Sequence, residues 1–281
     1  MLKTYLEFVK FEHTIFALPF AYMGALLAEG GFPPFSKWLW ITLAMVGART
    51  AGMSLNRILD REFDRENPRT KNRPLQNGRM TLRQAKGLTC VAILLFVISA
   101  WSLHPLCLSL IPLALFFLFI YSYMKRFSWT THFVLGLVLA CAPVGGWMAV
   151  TGRLSAVSLL LGGAVLFWVA GFDVIYACQD LGFDQKRGIH SLPVRVGIDR
   201  ALSLSTQFHL LSLLLFLGVG VLAFLGTFFW IGWGVISIIL LVEHRLISPH
   251  DLSRVNQAFF TMNGWVSVIL FAAVLADKVF A

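Results

Sequence analysis

Apolar runs long enough to cross a lipid bilayer recur along this chain, and no other feature constrains its fold as much. A spanning helix needs about 20 mostly apolar residues, and candidates cover 13–29, 38–57, 87–104, 106–124, 133–150, 157–181, 207–226, 228–243 and 259–279. Breaks such as His104-Pro105 and Leu225-Gly226-Thr227 separate neighbouring runs. Hydrophobic residues make up 58% of the 281 and charged ones 13%, against about 25% charge in an ordinary soluble domain. The surplus apolar surface is expected to face lipid. In hydrocarbon the backbone must satisfy its own hydrogen bonds, so each run reads as helix. The expectation is an all-α, polytopic membrane protein of about nine transmembrane helices, forming a single domain over 1–281. Met1–Glu12 and the stretch up to Ala28-Glu29-Gly30 lack a convincing cleavage site, so the first run reads as a retained span.

Net charge is +9, from 23 Lys and Arg against 14 Asp and Glu. Its distribution gives an orientation. With nine spans, the N-terminus and the loops after the second, fourth, sixth and eighth helices share one side. That side holds Lys3, Lys10, the nine basic residues from Arg57 to Lys86, Lys125, Arg126, Lys186, Arg187, Arg195, Arg200, Arg245 and Arg254, which is 19 of the 23. The other side has Lys37, Arg153 and Lys278, and Arg49 lies within the second helix. A Lys/Arg excess marks the cytoplasmic side, so the N-terminus and the long loops are placed in the cytoplasm, below a bacterial cytoplasmic (inner) membrane. Topology accounts for the basic balance first, and anionic lipid or substrate second. No nucleic-acid partner is expected, and no obligate protein partner is implied.

Two helix ends on that side echo one another. The second helix ends in Asn56-x-x-x-Asp60-x-x-x-Asp64, followed by Arg69-Thr70-Lys71-Asn72-Arg73-Pro74-Leu75. Four spans later the sixth ends in Asp180-x-x-x-Asp184, followed by Lys186-Arg187-Gly188 and Ser191-Leu192-Pro193-Val194-Arg195. Residues four apart share a helix face. Asn56, Asp60 and Asp64 thus form one stripe of oxygens. Asp173, Tyr176, Asp180 and Asp184 form another, with Asp173 deeper toward the bilayer. Like charges at this spacing repel, and carboxylates near hydrocarbon are costly.

Pairing with nearby arginines at a solvated helix end explains either motif alone. It explains both in the same register on the same side far less well. Oxygen ligands without His or Cys select Mg²⁺ or a similarly hard ion. Such an ion takes one or two carboxylates and completes its shell with water and substrate phosphate. Two facing clusters therefore point to a diphosphate clamped between two ions. Arg61, Arg69, Arg73, Lys125 and Lys186 are available for the remaining phosphate charge.

A diphosphate inside a membrane domain implies a lipid-soluble one. Aromatic residues reach 14%; Phe116, Phe117, Phe119, Tyr121 and Tyr123 crowd the fourth helix, and Phe167, Trp168, Phe172 and Tyr176 the sixth. Aromatic faces shelter a cation once diphosphate leaves, although most such residues in membranes are packing or interface residues. Tyr176 stands apart because it shares the Asp180 face. Cys90, Cys107, Cys141 and Cys178 form no C-x-x-C pair and read as small apolar residues of helices.

Taken in order, these residues resemble the UbiA-type intramembrane aromatic prenyltransferases. The resemblance runs through Arg49-Thr50-Ala51-Gly52, Asn56-Arg57-Ile58-Leu59-Asp60-Arg61-Glu62-Phe63-Asp64, the 69–75 stretch, Tyr121-Ser122-Tyr123-Met124-Lys125-Arg126, and Asp173-Val174-Ile175-Tyr176 with Asp180 and Asp184. It implies nine helices around a central cavity that opens to lipid under a cytoplasmic cap. It implies a polyprenyl diphosphate and an aromatic acid as substrates, with Mg²⁺ as cofactor, in ubiquinone or menaquinone synthesis. Carried over, Asn56, Asp60, Asp64, Asp180 and Asp184 hold metal and diphosphate, and Lys125 and Lys186 contact diphosphate. Arg61 takes the acceptor carboxylate, with Arg126 as a second candidate, while Asp173 and Tyr176 shape and polarise the site.

Two departures stand out. Arg57 replaces the Asp that follows the motif asparagine in many relatives, and His190 stands where lysine is common. The Arg57 variant is more similar to a branch that prenylates a dihydroxynaphthoate, which is kept beside a 4-hydroxybenzoate-like acceptor. Outside the enzyme class, an ion-coupled transporter would also carry intramembrane acids and an internal repeat. Here the acids gather at helix ends, not at the midplane. His13, near the first helix, is a packed or interfacial histidine that could also reach the cavity.

Overall fold

The computed structural model describes residues 2–10, 14 and 16–280, so His13 lies outside the described residues. Its helices are α1 (Leu2–Val9), α2 (Leu18–Glu29), α3 (Phe35–Leu59), α4 (Arg61–Glu66), α5 (Leu82–Leu103), α6 (Pro105–Ser109), α7 (Ile111–Met124), α8 (Thr131–Thr151), α9 (Ala156–Ala177), α10 (Leu181–Arg187), α11 (Leu192–Val196), α12 (Ile198–Leu222), α13 (Thr227–Arg245) and α14 (Asn263–Phe280). A 3₁₀ turn, Cys178–Asp180, precedes α10, and a π turn, Gln257–Met262, precedes α14. No strand forms among the described residues.

Every predicted run meets a helix, but the helices are unequal. Six among the described residues are long and apolar enough to cross a membrane: Leu82–Leu103, Thr131–Thr151, Ala156–Arg187, Ile198–Leu222, Thr227–Arg245 and Gln257–Phe280. The other three predicted spans fall short for visible reasons. α2 has 12 residues, with Pro19 in its first turn. α7 has 14, with Pro112 in its first turn. Proline pre-sets the first helical turn but cannot accept being inside one, so each sets a firm start. α3 has 25 residues but carries Lys37, Arg49 and Arg57.

Apolar contact gains little over contact with lipid tails, so membrane helices associate where their backbones come close. α2 and α8 show this. A Cβ on Gly24 would lie 2.1 Å from the Pro143 carbonyl oxygen, and one on Gly146 would lie 2.0 Å from that of Ala21. Ala17, Ala21, Ala25, Ala142 and Ala149 fill the rest of this seam. Charged groups inside the bundle are spent on helix ends. Lys37 Nζ donates to the carbonyls of Leu103 and Ala149 at 2.6 and 2.7 Å, near the last turns of α5 and α8. The Asp277 carboxylate accepts from the N–H groups of Gly226, Phe228 and Phe229, which start α13. Both uses follow the partial charges of helix termini. A fully buried Trp168 centres the main core, with Phe16, Phe20, Phe172 and Phe216 around it.

Candidate active site

α3 ends at its cap, Asp60, and α9 continues through a 3₁₀ turn that ends at Asp180; the two aspartates have nearly the same backbone. Asp60 has φ −88° and ψ 6°; Asp180 has φ −96° and ψ 2°. The expected stripes are therefore interrupted, since α4 and α10 restart after each break. The i,i+4 link survives on the first side, where the Asp64 N–H donates to the Asp60 carbonyl at 2.8 Å.

Around the first break, Asn56 Nδ2 donates to Asp60 Oδ2 at 3.0 Å. Lys125, at the end of α7, reaches the same oxygen at 2.5 Å. Asp60 is 1% exposed, and its Oδ1 is buried without a hydrogen-bond partner. Burial pushes its carboxyl above the usual carboxylate range, with Lys125 pulling the other way. Asp64, also buried, accepts from Arg73 Nη1 at 2.6 Å and lies 3.8 Å from Arg57 Nη1. The loop after α4 is organised by Asn67, whose Oδ1 accepts from the Arg69 N–H at 2.9 Å, and by Thr70 Oγ1 donating to the Asp64 carbonyl.

That loop joins the two motifs. Arg69 grips Asp180 with two parallel bonds, Nε to Oδ1 at 3.0 Å and Nη2 to Oδ2 at 2.5 Å, while its Nη1 donates to Tyr176 Oη at 2.8 Å. Asn67 Nδ2 adds a bond to Asp180 Oδ1 at 3.2 Å. Asp184 is buried, with Ser191 Oγ donating to it at the long distance of 3.5 Å. Asp173 accepts from His132 Nδ1 at 2.6 Å. All of these line one cavity of about 710 Å³. Its other walls are mainly apolar, with Phe96, Phe117, Leu135 and Phe172 among them, and also carry Arg49. One end thus suits multiply charged oxygen groups, and the rest suits hydrocarbon and an aromatic ring.

The UbiA prenyltransferase family matches residues 17–266 of the sequence. The chain belongs to this family. A 4-hydroxybenzoate octaprenyltransferase of Aromatoleum aromaticum is 33% identical over 257 residues, 90% of this chain and 85% of that protein. One of Chromohalobacter salexigens is 32% identical over 88% of this chain and 83% of its own length. Among solved structures, the apo form of a UbiA homolog from Aeropyrum pernix K1 has a TM-score of 0.87 at 34% identity, covering 95% of this chain and 98% of that one. A UbiA homolog from Archaeoglobus fulgidus bound to GPP and Mg²⁺ shares the fold, with a TM-score of 0.75 at 20% identity over 98% of this chain and 99% of its own.

Among the residues singled out from sequence, Asn56, Asp60, Asp64, Lys125, Asp173, Tyr176, Asp180 and Asp184 line the cavity. Three do not. Arg61 follows the break at Asp60 and turns outward, where Nε and Nη2 donate to Glu62 at 3.0 and 2.7 Å; its side chain is 47% exposed. Lys186 is exposed on α10, and neighbouring Arg187 pairs with Glu66 outside the cavity. Arg126 stays at the rim, stacked on Phe63 and Tyr123 and donating to the Leu59 carbonyl.

Sequence reasoning gave no role to Asn67, His132 or Ser191, and it treated Arg57 only as a departure from the family motif. Asn67-Pro68 is a turn signal, which marks Asn67 as a loop organiser; nothing local marks His132. Arg49 lies on the same face as Asn56 and Asp60, deep in the cavity.

No three His, Cys, Asp or Glu groups among the described residues are grouped to hold a metal ion. Mg²⁺ does not require such a group, because it takes one or two carboxylates and fills its shell with water and phosphate. The donor set here is all oxygen, and the buried Asp60 Oδ1 lacks a hydrogen-bond partner. These residues fit a Mg²⁺–diphosphate.

Proposed function

We propose that this chain transfers a polyprenyl group from polyprenyl diphosphate to a 4-hydroxybenzoate-like aromatic acid on a quinone-building route. The carrying observation is the paired grip of Arg69 on Asp180, which joins both aspartate motifs at one polar end of a cavity whose remaining walls are mainly apolar. The relatives named 4-hydroxybenzoate octaprenyltransferase support the choice of acceptor. The whole of 1–281 is read as one membrane domain of nine spans in the inner membrane. α2, α3 and α7 then complete the six long apolar helices. α4, α10 and α11 form the cap, facing the cytoplasm with the N-terminus.

Asn56, Asp60, Asp64, Asp180 and Asp184 hold the metal and diphosphate end. Mg²⁺, when bound there, supplies Lewis-acid stabilisation of the departing diphosphate. Lys125, Arg69 and Arg73 already stand beside these carboxylates and take the remaining phosphate charge. Tyr176, Phe172 and Phe117 wall the allylic carbon, excluding water and steadying positive charge. Arg49 replaces Arg61 as the group for the acceptor carboxylate. It lies eleven residues before Asp60 on α3, about 16 Å along the helix, and its guanidinium suits two parallel bonds to a carboxylate. The ring carbon ortho to the hydroxyl bonds to C1 of the prenyl group as the C1–O bond breaks. Diphosphate leaves with the electron pair, and the ring proton passes to Asp173.

Purified protein in lipid vesicles with Mg²⁺, geranyl diphosphate and either 4-hydroxybenzoate or a dihydroxynaphthoate tests this reading. Prenylated hydroxybenzoate and diphosphate should appear in equal amounts. Product from the naphthoate alone would move the enzyme to the other quinone branch. Solute flux with no diphosphate release would replace the enzyme by a transporter.

A further inference from the structure

The segment 189–192 is pinned at three points, two at the diphosphate end and one at His132. The Ile189 N–H donates to the Asp184 carbonyl at 2.9 Å, and the His190 N–H donates to the Lys125 carbonyl at 2.7 Å. Both hold it to the diphosphate end. The Leu192 N–H donates to His132 Nε2 at 3.1 Å. Leu192 opens α11, where the first N–H groups have no partner within the helix, and here the partner is an imidazole.

That imidazole is 2% exposed. An amide N–H can only donate, so Nε2 carries the lone pair and Nδ1 carries the proton. Nδ1 in turn lies 2.6 Å from Asp173 Oδ2. His132 is thereby locked in one tautomer and donates to a carboxylate that faces the cavity. With Oδ2 held, Oδ1 is the oxygen left to accept a proton.

We propose that His132 is a positioning residue for prenyl transfer: it aims the Asp173 carboxylate, and the 189–192 segment sets that aim relative to the diphosphate end. This rests on the reading above, in which Asp173 takes the ring proton. The proton ends on Asp173 Oδ1 and none moves to His132, which remains neutral throughout. A chain so connected fixes the distance between the group that receives the proton and the groups that receive the leaving diphosphate.

Two amide substitutions separate the halves of this connection. In His132→Asn, Nδ2 stands near the position of Nδ1 and keeps a donor for Asp173, while the acceptor for Leu192 is lost. In His132→Gln, the longer side chain reaches toward Leu192 and loses Asp173. Each is assayed as the full chain in lipid vesicles with Mg²⁺, geranyl diphosphate and 4-hydroxybenzoate, protiated or deuterated at the ring carbons ortho to the hydroxyl. Thermal melting is followed in parallel.

His132→Gln should lower kcat for prenylated product by about ten- to a hundredfold, less than the full 10²–10⁴ that a general base contributes, because Asp173 is misaimed and not removed. Both KM values should hold, and a normal primary isotope effect should emerge that the unaltered chain lacks. His132→Asn should keep most of kcat, and His132→Gln should add nothing to Asp173→Asn. Equal losses in the two variants, tracking a fall in melting temperature with no isotope effect, would overturn the inference while leaving the proposed function in place. Absence of prenylated acid from the unaltered chain would overturn both.

Discussion

Asp60 and Asp180 sit at matching breaks, between α3 and α4 and between α9 and α10, yet the two ends are built differently. Asp60 is buried and is served by Asn56 from its own helix and Lys125 from α7. Asp180 keeps 17% side-chain exposure and is held by Asn67 and Arg69, which belong to the other motif. The sequence echo includes basic residues after both motifs. The structure uses only the first set inward: Arg69 and Arg73 reach carboxylates of the site, whereas Lys186 and Arg187 lie exposed on the outer side of α10. The repeat is therefore symmetric in its acids and asymmetric in its cations. The physical reason is loop length. After α4 the chain runs through a long turn-rich loop that can fold back over the site; after Asp184 it remains helical to Arg187 and points its basic side chains outward.

The largest effect should come from the acids, where the two ends act alike. Asp→Asn at Asp60, Asp64, Asp180 or Asp184 should each lower kcat by at least about 10²–10³-fold, the scale of losing one transition-state contact in a pre-arranged site. Because residues acting as a unit are non-additive, Asp60→Asn combined with Asp180→Asn should be little worse than the poorer single variant. Multiplying losses in steady-state assays would show two separate sites.

The cations should break the symmetry. Arg69→Gln should raise KM for prenyl diphosphate by about tenfold to a hundredfold, the range of a charged hydrogen bond, and Lys186→Gln should stay near the unaltered value. Comparable losses at both positions would mean that α10 rotates inward when substrate binds.

A smaller effect distinguishes the acceptor end. Arg49→Lys keeps the charge but loses the two-pronged geometry, so it should raise KM for the aromatic acid by about tenfold while leaving that for prenyl diphosphate unchanged. Arg61→Lys should leave both within twofold. The reverse result would return the acceptor carboxylate to Arg61.

The smallest change tests whether both ends share the cytoplasmic side. In a cysteine-free background, an impermeant thiol reagent added outside should label Phe35→Cys and miss Gln76→Cys, with turnover unaffected in each. Labelling of Gln76→Cys instead would invert the topology.

The helical class of this protein, the approximate position of each helix and seven of the eight cavity-lining residues named above, all but Lys125, follow from the sequence. They depend on apolar run length and on four-residue spacing, both local properties of the chain. Local spacing also predicted the wrong surroundings for Arg61, because a continuous helix was assumed through Asp60. Arg61 instead pairs with Glu62 outside the cavity, while Asp64 stays on the cavity face with Asp60. Lys125 could be matched to the site by resemblance, but its bond to Asp60 spans 65 residues and is set by how α7 lies against α3.

What the sequence by itself determined was a chain that must bury its backbone polar groups as helices in lipid and that carries two aspartate stripes. What only the tertiary structure decided was which charge faces which. Arg69 reaches across to Asp180 rather than to an acid of its own motif, and His132 reaches Asp173 through a histidine with no local signal. Pairing of that kind depends on where helices far apart in sequence come to rest, which in lipid is set by close approaches such as Gly24 and Gly146 between α2 and α8. Periodicity within one helix carries no information about that placement.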